Sequence, residues 1–161
     1  MRDDRGMSDE PILDPETQRR VAVGLFNRTW DLHDLGDERT DAQTHEMIDA
    51  AHASNWHWAQ IGGLEQAVVG EWMISRVNAS AGYGEAAVRH AQRAFTLLHS
   101  GDGLPDWLEA SVQEGLARAH LADGDRDAAE FAAHAATDAL DKIAEAEDRD
   151  LIASQLAELS L

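Results

Sequence analysis

The chain has no cysteine and a single lysine, Lys142, and it contains no apolar run approaching the roughly 18 residues that span a bilayer. Without cysteine, disulfides, thiolate catalysis and cysteine-based zinc or iron–sulfur sites are all excluded. Without the apolar run, no membrane-spanning helix is expected. The opening residues, MRDDRGMSDEPILDPE, lack the apolar core of a secretory signal, so a cytoplasmic protein is expected. Alternation of apolar and polar residues is missing as well, and no segment carries a strand signal.

What is present is acid and alanine. The 161 residues are 43% hydrophobic, enough for one domain to bury a core without disulfides or structural metal. Against 13 basic residues stand 31 acidic ones, a net charge of −18 that repels phosphate backbones and anionic membranes, so neither nucleic acid nor membrane is an expected partner. Acid excess with arginine replacing lysine suits a high-salt cytoplasm, whereas alanine richness and the arginine bias are met by a GC-rich genome alone.

Residues 1–13 are polar and without periodicity, which predicts a flexible acidic tail, with Met7 as an alternative start. The remainder, 14–161, reads as one all-α domain of about seven helices. Asp14-Pro15 supplies an N-cap and a first-turn proline, and Gly36 ends the first helix. Thr40 with Gln43 has the form of a capping box opening a second helix that stops at Gly62-Gly63. A third helix covers about 64–81 and a fourth runs to about 99. The loop GDGLPD places Pro105 at the start of a fifth, which Gly124 ends. Asp125 caps the sixth, to about 142, and EDRDLIASQLAEL makes a short seventh with Leu151, Ile152, Leu156 and Leu159 on one face.

An internal repeat organises these helices. Residues 72–98 align with residues 114–140 at an offset of 42, so that Arg76 meets Arg118, Gly82 meets Gly124, Ala87 meets Ala129, Ala91 meets Ala133, Ala94 meets Ala136 and Leu98 meets Leu140. A glycine closes the first helix of each copy, and small residues recur where the second must pack closely. In the second copy Leu116-Ala117, His120, Gly124, Ala129, Ala133 and Ala136 resemble the packing code of the tetratricopeptide repeat. In the first, Ile74-Ser75 and Asn78 stand at the same places. The resemblance implies antiparallel helix pairs stacked as a short α-solenoid with a C-terminal capping helix. The 42-residue period is longer than the family's roughly 34, which implies longer connections. The chain is also similar to a group of uncharacterised bacterial proteins that carry pieces standing here as Ala51-His52-Ala53-Ser54, His57-Trp58, Glu71-Trp72, Ser75-Arg76-Val77 and Glu147-Asp148-Arg149.

The repeat resemblance implies a concave groove lined by Trp72, Arg76, Glu114 and Arg118, with His52 and His57 as further candidates for binding a peptide or protein partner. Each of the first four is one member of an i,i+4 pair, suited to Trp72 stacking on Arg76 and to a Glu114–Arg118 ion pair. Two arginines one repeat apart could clamp a carboxylate or phosphate, or could instead lock neighbouring helices through Glu114, Glu71 or the 147–149 segment.

The stretch HEMIDAAHASNWHW, residues 45–58, invites a second reading. Helical geometry puts Met47, Ala51, Ser54 and Trp58 on a buried side and His45, Asp49, His52 and Trp56 on a polar one. His45 and His52 lie about 10 Å apart along the axis, too far to share one ion. A metal or small-molecule site would therefore use His52 and His57 with Glu71 from the next helix. A homodimer burying Trp56 is a third reading. No catalytic triad, phosphate loop or cofactor motif can be assembled, and a non-enzymatic protein without a cofactor is expected.

Overall fold

The computed structural model describes residues 11–161, so most of the expected tail lies outside the described residues. Seven helices follow in order: α1 Pro15–His33, α2 Asp41–Ala59, α3 Leu64–Ser80, α4 Gly84–Leu98, α5 Leu108–Asp123, α6 Arg126–Leu140 and α7 Ala146–Ala157, with one 3₁₀ turn at Gly36–Glu38. No strand occurs among the described residues.

The starts are set by local chemistry. Asp14 accepts the Thr17 N–H at 3.0 Å and Asp125 the Ala128 N–H at 3.0 Å. Thr40 and Gln43 form the reciprocal capping box. The α5 boundary differs from expectation: the helix begins at Leu108, three residues beyond Pro105. Residues 105–108 form a turn, closed by the Leu108 N–H on the Pro105 carbonyl at 3.2 Å, while the Asp106 carboxylate accepts from the Ala144 N–H at 2.9 Å, ahead of α7. The expected stops at Gly82 and Gly124 both adopt left-handed backbone, φ 81° and 84°, where a side chain would be strained.

Helices α1 and α2, α3 and α4, and α5 and α6 form successive antiparallel pairs, each pair packs on the next, and α7 closes the stack against α5 and α6. The arrangement is solenoid-like. The repeat alanines make close packing possible: Ala87, Ala91, Ala94, Ala129 and Ala136 are buried. Small hydroxyls add cross-links, with Ser54 donating to the Ala22 carbonyl at 2.8 Å between α2 and α1, and Ser75 to the Ala87 carbonyl at 2.9 Å between α3 and α4. One core joins Leu32, Met47, Ala51, Met73, Ile74 and Val77, and the next joins Val68, Ala94, Leu98, Leu108 and Val112. The long period is absorbed between α4 and α5, where Leu104 and Trp107 anchor the connection into that second core. No helix is long and apolar enough to cross a membrane among the described residues.

Candidate functional site

Successive residues on a helix turn by about 100°, so α3 presents adjacent residues to different neighbours. Trp72 and Arg76 face α1 and α5, whereas Glu71 faces α2 and α4. This splits the candidate residues into two clusters.

On the first side, Arg76 and Arg118 converge on one carboxylate, that of Glu114. Arg76 Nη1 donates to Glu114 Oε2 at 3.3 Å and Arg118 Nε to Oε1 at 2.8 Å. Glu114 is 0% exposed and Arg76 6%. Arg118 continues to α7, donating from Nη2 to the Gln155 carbonyl at 3.2 Å and lying 3.5 Å from Glu158 Oε2. The guanidinium of Arg76 also stands 5.5 Å from the ring centres of both Trp30 and Trp72. That aromatic contact partly replaces lost hydration. The carboxylate between the two arginines thus belongs to the chain itself, and the network ties α3, α5 and α7 together. Asn78, half a turn beyond Arg76, turns away and donates to the Ile74 carbonyl at 2.8 Å.

Beside the network lie two adjoining clefts. One, of about 180 Å³ between α1, α2 and α3, is walled by Val23, Phe26, Trp58, Val69 and Met73. The other, of about 260 Å³ between α1, α3, α5 and α7, is walled by Phe26, Trp30, Trp72, Trp107, Leu151 and Ile152. Phe26 and Val69 belong to both walls and form the ridge between them. Trp72 reaches this place because residue 115 is glycine: a Cβ there would stand 2.8 Å from Trp72 Cδ1. Leu151 is 56% exposed at the mouth of the second cleft.

On the other side of α3, the buried Glu71 receives His90 Nδ1 at 2.6 Å on Oε2, and Arg93 Nη2 at 3.2 Å and Asn55 Nδ2 at 3.4 Å on Oε1. His52 is exposed, and its ring packs edge-on against His90 with centres 5.3 Å apart. His57 is not part of this cluster. Its Nδ1 pairs with Gln18 Oε1 on α1, so the expected trio of His52, His57 and Glu71 is not brought together. Among the described residues no group of three such side chains is gathered to hold a metal ion. The polar side expected for α2 is otherwise as read: His45, Asp49 and His52 face solvent, and Trp56 is 45% exposed.

Burial, with the neighbouring charge of Arg76, pushes the His33 pKa down, and the partial cover that His90 gives one edge of the exposed His52 ring, with the charge of His90, pushes His52 down. Burial alone would raise Glu71, but the His90 hydrogen bond and the Arg93 charge outweigh it and hold Glu71 below the usual carboxylate range. All three shifts act in the same direction. The unfolded chain takes up protons on these groups before the folded one does, so stability is full above about pH 6.5, the ordinary histidine value, and falls as pH drops through it. Melting temperature is therefore expected to decline between pH 7 and 5. The His33→Gln, His52→Gln variant should show a shallower decline, and an identical slope would refute the assignment.

The residues that sequence reasoning did not single out are His90, Arg93 and Asn55 around Glu71, Gln18 opposite His57, and Gln155 and Glu158 at the end of α7. Each lies on a different helix from its partner, with no local spacing to betray it. Comparison with family models, with curated proteins and with solved structures returns no match.

Proposed function

We propose that the chain is a non-enzymatic, tetratricopeptide-like module of the cytoplasm that binds a peptide or protein partner through the paired clefts along α1, α3, α5 and α7. The observation that carries this reading is the pair of adjoining aromatic-walled clefts with Leu151 left exposed at one mouth. Clefts of this kind accept large apolar side chains, and two side by side suit consecutive anchors of one amphipathic segment. The arginine pair is the support beneath the surface, since Glu114 already occupies it.

A photo-crosslinking residue placed at position 151, with one at the exposed Phe131 of α6 as control, tests the reading in cells. Phe131 is 79% exposed but lines neither cleft. A discrete adduct is expected from position 151 and none from 131. The reverse pattern, or equal diffuse labelling from both, refutes it.

A further inference from the structure

On the side of α3 away from the clefts, Glu71, His90 and His52 form a chain of contacts that the binding reading does not use. We propose that His52 and His90 are a two-histidine site for a late divalent transition-metal ion of the zinc, nickel and copper class, with Glu71 as the carboxylate that orients His90.

Three features carry the assignment. Glu71, held on its other oxygen by the Arg93 guanidinium, accepts at His90 Nδ1, so that nitrogen carries the ring proton and Nε2 keeps its lone pair. This is the carboxylate–histidine arrangement that fixes tautomer and ring orientation at metal sites. Glu71 is itself immobilised by Asn55 and Arg93, and Asn55 is pressed against Gly70, where a Cβ would fall 2.7 Å from its Cγ. The support is therefore rigid where the ligand needs it to be. Finally, His52 is exposed and makes no side-chain hydrogen bond to a described residue, so its ring nitrogens are open to an ion.

The ring separation is also right. With metal–nitrogen bonds of about 2.1 Å, two imidazole centres lie about 3.2 Å from an ion and, at a tetrahedral angle, roughly 5 Å from each other. The observed separation is 5.3 Å, with the rings at 75°. Because only two protein donors meet, water completes the shell, and imidazole nitrogen selects this class over magnesium or calcium.

The test uses the full chain without an affinity tag, stripped of metal, titrated calorimetrically with Zn²⁺ alone at pH 7.5. One ion per chain is expected. His52→Ala should weaken binding at least tenfold while the metal-free melting temperature stays unchanged, because the side chain is exposed. Glu71→Gln is expected to weaken it by about 10–100-fold. His134→Ala, which alters an exposed histidine on α6, should leave binding intact. Absence of binding, binding retained in His52→Ala, or equal loss in His134→Ala would overturn the assignment, the last two by marking the zinc as adventitious.

Discussion

Replacing Glu114 with alanine is expected to cost about 3–5 kcal/mol, the usual range for removing one partner of a buried ion pair. At roughly 2–4 °C per kcal/mol for a chain of this size, the melting temperature should fall by about 6–20 °C in calorimetry. Desolvation decides the sign. Arg76 is 6% exposed and its Nε has no hydrogen-bond partner among the described residues, so without Glu114 its guanidinium would be left against the faces of Trp30 and Trp72. Burial already pushes the Arg76 pKa down, with Glu114 as the main force opposing it. Arg118 suffers less, because Gln155 and Glu158 remain within its reach. Removing both partners, as Arg76→Met with Glu114→Leu, should therefore be milder than Glu114→Ala alone. A double variant less stable than the single one would show that the charges themselves, and not the unpaired remainder, stabilise the stack.

Gly84→Ala is expected to be nearly as damaging, at about 3 kcal/mol, the upper part of the range for forcing extra atoms into packed regions. Gly84 opens α4 against the end of α5, where an added Cβ would stand 2.4 Å from the Asp123 Cα and 2.6 Å from its nitrogen. Both atoms are backbone, so no rotamer change relieves the clash, and the α4–α5 contact must open. Gly24→Ala provides the contrast: nothing lies within 4 Å of a Cβ there, and α1 should gain about 0.5–1 kcal/mol. Equal melting temperatures for the two variants would contradict the packing described at the α4–α5 junction.

The helices were legible because their signals are local. Asp14, Thr40 and Asp125 are caps with partners three residues away, and the glycines at 82 and 124 mark stops that any chain would need. The repeat made the pairing legible too, since alanines at 87, 91, 94, 129 and 136 predict where helices approach closely. The sites were only half legible. Trp72 beside Arg76 and Glu114 beside Arg118 follow from i,i+4 spacing, but that Arg76 and Arg118 share Glu114 depends on how α3 and α5 are offset, which no spacing encodes. In the same way the polar stripe of α2 could be drawn correctly while the partners of its histidines could not. His57 finds Gln18 and His52 finds His90, each on another helix. Leu151 and Ile152 both belong to the apolar face of α7, yet Ile152 is buried while Leu151 is left exposed at the cleft.

The most direct test of the paired clefts as a binding surface is a peptide-library selection run in parallel on the wild-type chain and on Leu151→Asp. Because Leu151 is more than half exposed, the variant should melt like the wild type. Peptides bearing two large apolar anchors are expected to enrich on the wild type and to be lost on the variant. Enrichment of the same peptides on both chains, or of none on either, would contradict the account.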